Sequence, residues 1–202
     1  MFDAHLRPLI DPPLNWVGQR LARIGVTANQ VTAVGGAFGI AAGVSIAAGH
    51  FGAALVLIAF SRLLDGLDGA VARATRKTDF GGYLDIVVDF MFYVAVPVGF
   101  GLTDPANLPF ALVLVGAFTL TGISFLAFAT LAAQRGLETT GHGEKSFFYN
   151  TGLAEGTETI LAFVLMCLWP AGFPILASIF AGLCGITVIQ RSLAARRLFG
   201  DF

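Results

Sequence analysis

Asp65 and Asp68 stand three residues apart, Asp85 and Asp89 four apart, and each pair interrupts an otherwise apolar stretch. At such spacings the two carboxylates of a pair share one face of a helix. Acids inside apolar helices are costly, and function is the default reading of them. Only a short turn separates the two stretches, which predicts antiparallel neighbouring helices with converging acidic faces. Four carboxylates in one place repel each other, so they either retain protons or recruit cations. All-oxygen ligation selects hard ions, Mg²⁺ or Mn²⁺. Two such ions roughly 4 Å apart are a device for in-line phosphoryl displacement. Gly69, Ala70 and Ala72 leave clearance beside the acids, and Arg73 adds a planar fork suited to phosphate. Acids for metal, an arginine for phosphate and small residues for clearance together describe a nucleotide-diphosphate site.

The elements that must position these side chains are membrane helices. Of the 202 residues 56% are hydrophobic and 12% charged, against about 25% charged in a soluble domain. A membrane span needs roughly 20 apolar residues. Six stretches approach that length: about 29–49, 51–72, 82–102, 108–132, 152–169 and 173–193. Thr27 and Gln30 have capping-box spacing at the start of the first. Gly35, Gly39, Gly43 and Ala47 make a smooth face on it where another helix can approach. Residues 1–26 alternate Leu14, Trp16, Val17, Leu21 and Ile24 with polar residues, as in a short amphipathic helix lying in the interface. The prolines and charges near the N-terminus do not read as a cleavable signal. Cys167 and Cys184 lie in apolar segments and read as small core residues. The expected fold is all-α and integral to the membrane. It is a single domain over 1–202, with a juxtamembrane segment over 1–26 and a six-helix bundle over 27–198.

Basic residues fix the orientation. Eleven of the twelve fall on alternate connections, and the twelfth, Arg62, lies within the second span. The connections at 49–50, 103–107 and 169–172 contain none. The positive-inside rule places both termini and the acids at the cytoplasmic face. The longest polar connection, 136–150, is the best candidate for a mobile loop.

The segment Asp65 to Asp89 resembles the signature of the CDP-alcohol phosphotransferase (CDP-alcohol phosphatidyltransferase) family, D-x2-D-G-x2-A-R, a spacer usually of eight, then G-x3-D-x3-D. Asp65, Asp68, Gly69, Ala72, Arg73, Gly81, Asp85 and Asp89 fill all eight fixed positions. One departure is the spacer, Ala74 to Phe80, which has seven residues. The six-span count and the run Ala28 to Thr32 also resemble the family. The resemblance implies transfer of a phosphoalcohol group, as from CDP-diacylglycerol, to the hydroxyl of a small polar alcohol, with release of CMP. It implies Asp65, Asp68, Asp85 and Asp89 as ligands of two Mg²⁺ or Mn²⁺ ions, with Asp89 also the base on the acceptor hydroxyl. The nucleotide would lie against Asp65, Gly69, Ala72, Arg73, Gly81, Asn29 and Thr32. A homodimer in the cell (inner) membrane is implied too, and nucleic acid is not among the implied partners.

The acceptor is less constrained. Glu155 and Glu158 open the fifth span, where burial of acids favours a role toward hydroxyls or an amine, although a helix N-terminus also favours acids through its dipole. Arg135, Lys145 and Arg191 are positioned either to bind an acceptor phosphate or simply to flank spans. Glycerol 3-phosphate, inositol phosphate and serine all stay open. A divalent-cation transporter is the alternative reading of intramembrane acids, but such sites lie near the midplane, and an arginine beside them is unwelcome in a cation path. An intramembrane aspartyl protease needs one aspartate on each of two helices, not four and an arginine. Reporter fusions after residues 1 and 202 should give cytoplasmic signals and one at Asp104 an extracytoplasmic signal. An extracytoplasmic signal from either terminus would contradict the orientation.

Overall fold

The computed structural model describes residues 3–136 and 156–200, with side chains from residue 10 onward. Those residues form seven α-helices: α1 Asp3–Arg23, α2 Ala28–Ala47, α3 Phe51–Ala74, α4 Asp79–Thr103, α5 Leu108–Gln134, α6 Gly156–Leu168 and α7 Phe173–Phe199. Short 3-10 turns at Pro105–Asn107 and Pro170–Gly172 lead into α5 and α7. Among the described residues there is no strand.

Local chemistry sets the helix starts near the site. At α2 the expected capping box is formed: the Thr27 N–H donates to Gln30 Oε1 at 2.9 Å, and the Gln30 N–H donates to Thr27 Oγ1 at 3.3 Å. Two orphan N–H groups are thereby satisfied. At α4 the Gly81 N–H donates to Thr78 Oγ1 at 3.0 Å. Four residues, 75–78, therefore suffice to reverse the chain between α3 and α4.

Four helical stretches are long and apolar enough to cross a membrane: Ala28–Ala47, Asp79–Thr103, Pro105–Gln134 and Pro170–Phe199. α3 has 24 residues, about 36 Å at 1.5 Å per residue. Any span-length window of it, however, contains Arg62, Asp65 and Asp68. α6 is described over 13 residues. α1 is a continuous helix of 21 residues, longer than the sequence suggested despite Pro8, Pro12 and Pro13. It lies along α3, where Gly18 faces Ala70 and Gly66 faces Leu14.

The glycine face of α2 is where α3 and α4 come close. Gly35 meets Leu64 and Ser61 of α3, and Gly39 meets Ser61 and the ring of Phe92 of α4. At Gly43 a Cβ would lie 2.5 Å from the Ala95 carbonyl oxygen and 2.8 Å from its carbon, so backbone touches backbone there. Without a hydrophobic force between helices in lipid, this contact is one of van der Waals packing, which small residues permit. Two clusters flank the acids along α2–α4. The larger joins α2–α7 around Ile46, Ile58, Phe92, Phe100, Phe163 and Phe173, with Phe100 and Phe173 stacked at 4.4 Å. The smaller joins Val31, Leu67, Ala70 and Val71 to Leu14 and Leu21 of α1. Cys167 and Cys184 are buried free thiols.

Gly43→Ala is expected to destabilise the protein by about 1–3 kcal/mol, the usual cost of overpacking. Gly116→Ala, in α5 with nothing within 4 Å of its would-be Cβ, should leave stability unchanged. Thermal denaturation of the two variants in detergent checks the contrast.

Candidate active site

The tight α2–α4 packing delivers the four aspartates to one place. Asp65 of α3 and Asp85 and Asp89 of α4 can each offer a carboxylate oxygen such that all three oxygens lie within 4.8 Å of one another. Asp68 stands beside this group, 6% exposed. The Thr32 hydroxyl of α2 lies 2.6 Å from Asp68 Oδ2, to which it donates, and 3.0 Å from the Ala28 carbonyl. A hydroxyl has one proton and the shorter contact is to a carboxylate, so Asp68 is the stronger acceptor. Thr32 thereby ties α2 to α3 at the site.

Arg62 is a member of this group that sequence reasoning set aside. Its Nη1 donates to Asp89 Oδ1 at 2.8 Å and lies 3.7 Å from Asp65 Oδ1. Its Nη2 donates to Ser61 Oγ at 3.2 Å, and its guanidinium lies 4.3 Å from the centre of the Phe92 ring. The signal was present: Arg62 precedes Asp65 by three residues, which puts the two on one helix face. Arg73 makes different bonds. Its Nε and Nη2 donate to Asn15 Oδ1 of α1 at 3.2 and 2.9 Å, a partner for which the sequence holds no signal.

Two cavities meet at the acids. The smaller, about 350 Å³, is lined by Ala28, Asn29 and Thr32 of α2, by Asp68, Gly69, Ala72 and Arg73 of α3, by Arg76, Lys77 and Thr78 of the turn, and by Gly81, Gly82 and Asp85 of α4. Of the sequence-expected nucleotide residues, only Asp65 is outside this lining. At Gly69 a Cβ would meet only Arg73 Nη1, at 3.3 Å, so the clearance expected there exists. The larger cavity, about 680 Å³, is lined by Ile10, Asp11 and Leu14 of α1, by Arg62, Leu63, Asp65 and Gly66 of α3, by Asp89 and Tyr93 of α4, and by Gly156, Thr157 and Ile160 of α6. Asp68, Gly69, Arg73 and Asp85 line both. Both volumes are in the range of small-molecule sites.

Of the residues considered for the acceptor, the described ones, Arg135, Arg191 and Glu158, are not among those lining either cavity. Arg191 of α7 donates to the Thr121 carbonyl at 2.9 Å and to Ser124 Oγ at 2.8 Å, both on α5. Arg135, just past α5, donates to the carbonyls of Leu198 and Phe199 at 3.4 and 3.1 Å. Both arginines join α5 to α7, and neither lines either cavity. Glu158 is half-buried in the first turn of α6, next to cavity-lining Thr157. Glu155, Lys145 and the 137–150 part of the long connection lie outside the described residues.

The sequence pattern of CDP-alcohol phosphatidyltransferases matches residues 25–190. The chain belongs to that family. Like other CDP-alcohol phosphatidyltransferases it is a phosphotransferase enzyme. It is 50% identical over 192 residues to inner membrane protein YnjF of Escherichia coli (strain K12), covering 95% of this chain and 93% of that one. It is 31% identical over 193 residues to the archaetidylinositol phosphate synthase of Pyrococcus horikoshii, covering 95% of each. Its fold is similar to that of Mycobacterium tuberculosis phosphatidylinositol phosphate synthase (PgsA1), solved with CDP-DAG bound. That match has a TM-score of 0.66 at 23% identity and covers 91% of this chain and 93% of that one. The same protein in complex with manganese and citrate gives a TM-score of 0.64 at 23% identity over 90% and 88%. In this CDP-alcohol phosphatidyltransferase the seven-residue spacer spans the last residue of α3, the 75–78 turn and the first two residues of α4.

Thr32→Val leaves the buried Asp68 carboxylate without its hydroxyl donor, a loss of about 1–3 kcal/mol. Turnover should fall by about 5-fold to 150-fold, as 1.4 kcal/mol corresponds to tenfold in rate. Thr32→Ser keeps the donor and should keep turnover. Equal activity in all three proteins would contradict the assignment.

Proposed function

We propose that the chain transfers the phosphatidyl group of CDP-diacylglycerol to the hydroxyl of a small polar alcohol and releases CMP, in phospholipid biosynthesis. The carrying observation is that the signature acids stand where two cavities of small-molecule size meet. The smaller, with Asn29, Thr32, Gly69, Ala72, Arg73 and Gly81 in its wall, would take the nucleotide. The larger would take the acceptor, and its apolar side at Ile10, Leu14, Leu63 and Ile160 would border the acyl chains. The CDP-DAG bound to the structurally similar M. tuberculosis enzyme supports that donor.

The donor set fits hard divalent ions: carboxylate oxygens of Asp65, Asp85 and Asp89 lie within 4.8 Å of one another, with Asp68 beside them and, among the described residues, no sulfur or imidazole in the group. Asp65, Asp68, Asp85 and Asp89 would hold two Mg²⁺ or Mn²⁺ ions. Bound there, the ions would supply neutralisation of the charge on the diphosphate. The manganese complex of the M. tuberculosis enzyme supports this reading. In the reaction Asp89 takes the proton of the acceptor hydroxyl, and the oxygen forms a bond to the β-phosphorus. The bond between that phosphorus and the bridging oxygen breaks, and the oxygen leaves with CMP. Arg73, fixed by Asn15, holds phosphate oxygens at the junction of the cavities. The acceptor is selected by the α6 side, where Thr157 lines the larger cavity and Glu158 stands next to it. Arg135 and Arg191 are assigned to helix packing instead.

We further propose that all six helices α2–α7 cross the membrane and that both termini and the acids face the cytoplasm. α1 would lie in the interface with Trp16, 57% exposed, at headgroup level. An arginine bonded to Asp89 and another lining both cavities speak against a cation path.

Purified protein offered CDP-diacylglycerol, Mg²⁺ or Mn²⁺, and glycerol 3-phosphate, inositol phosphate or serine should release CMP and form a new phospholipid with one of them. Asp68→Asn should fold, insert and lose turnover, since the amide lacks the charge a hard metal requires. Absence of CMP release under every combination, or divalent-cation flux into proteoliposomes, would contradict the proposal.

A further inference from the structure

Arg62 lies three residues ahead of the eight-position signature, yet it is bonded to the signature's last acid. Its side chain retains 11% exposure. A buried guanidinium is expensive and persists where it is paired and hydrogen-bonded. Here it is held on three sides: by Asp89 Oδ1 on Nη1, by Ser61 Oγ on Nη2, and by the face of Phe92. Among the described residues Nε is buried and has no hydrogen-bond partner. Phe92 and Ser61 are themselves fully buried, and Gly39 of α2 closes over both. The guanidinium is thus a rigid element, anchored in the core and aimed at one carboxylate oxygen.

The partition of residues between the cavities says what that anchoring acts on. Arg62 and Asp89 both line the larger cavity, and neither lines the smaller. We propose that Arg62 is a positioning residue for Asp89: it holds Oδ1, fixes the carboxylate plane and leaves Oδ2 to take the acceptor proton. This inference rests on the proposed role of Asp89 as base. Two consequences separate it from a merely structural ion pair. Its loss affects the proton-transfer side of the reaction and spares nucleotide binding. Its loss also does not weaken divalent-ion binding, because it removes a like charge 3.7 Å from Asp65 Oδ1.

The test uses the full chain in detergent and compares wild type with Arg62→Gln, Arg62→Lys and Ser61→Ala. CMP release is measured from CDP-diacylglycerol with glycerol 3-phosphate, inositol phosphate and serine supplied together. Mn²⁺ and CDP affinities are measured by calorimetry. The expected result is a kcat at least about 100-fold lower in Arg62→Gln, in the range of a lost acid–base contribution. Arg62→Lys recovers part of it, because it keeps the charge and loses the planar fork. Ser61→Ala leaves the charge in place, removes one anchor, and shows a smaller loss in the same parameter. In all three variants CDP affinity stays within about threefold of wild type and Mn²⁺ affinity falls by no more than about threefold, a difference under 1 kcal/mol. Unchanged kcat in Arg62→Gln, or Mn²⁺ and CDP affinities that fall in step with kcat, would overturn the inference. So would Arg62→Lys performing no better than Arg62→Gln. Should Arg62→Gln fail to fold, the Lys and Ser61 variants decide by the same criteria. A wild type that releases no CMP overturns the functional reading and this inference with it. An active wild type with an equally active Arg62→Gln overturns this inference alone.

Discussion

Mutual repulsion among four carboxylates is the constraint around which the rest of the molecule is arranged. Asp65, Asp68, Asp85 and Asp89 converge between helices whose other residues are largely apolar, where charge interacts more strongly than in water. Each acid is met by a specific device. Thr32 donates to Asp68, and Arg62 donates to Asp89 while standing near Asp65. Asp85 opens toward both cavities. The charge that remains suits the proposed divalent ions.

Holding those acids together demands more rigidity than lipid-facing helices ordinarily supply. α2 provides it through glycines that let α3 and α4 approach almost to backbone contact. The same helix delivers Asn29 and Thr32 to the smaller cavity from the turn above those glycines. Position of the helix and chemistry of the site are therefore set by one element. α1 adds a second support from outside the family match at 25–190. It contributes Asn15 to Arg73, Leu14 and Leu21 to the smaller core, and a wall of the larger cavity. In the proposed orientation α1 would couple the membrane surface to the site.

Much of this was legible in the sequence, because it is carried by spacing. The two aspartate pairs, the capping box at Thr27 and the glycine row are local patterns, and each appears in the structure as expected. The order and approximate limits of the helices followed from long apolar runs. Four of the six helices that the apolar pattern read as spans are long and apolar enough to cross a membrane; α3 carries Arg62, Asp65 and Asp68 in every span-length window, and α6 is described over 13 residues. What was not legible depends on contacts between distant segments. Nothing local announces that Asn15 meets Arg73 across 58 residues, or that Arg191 bonds to α5 across 67 to 70. Arg62 is intermediate: its spacing to Asp65 was readable, whereas its bond to Asp89 required the packing of α3 against α4.

The central claim is that the acids at the junction of two cavities form a metal–nucleotide site, with the nucleotide on the side of α2 and the α3–α4 turn. The most direct measurement is a structure of the protein with Mn²⁺ and CDP, with the metal located by anomalous scattering. Manganese is expected to be bound by Asp65, Asp68, Asp85 and Asp89, and cytidine to lie in the cavity lined by Asn29, Ala72 and Gly81. Manganese elsewhere, or cytidine in the cavity lined by Tyr93 and Thr157, would contradict it.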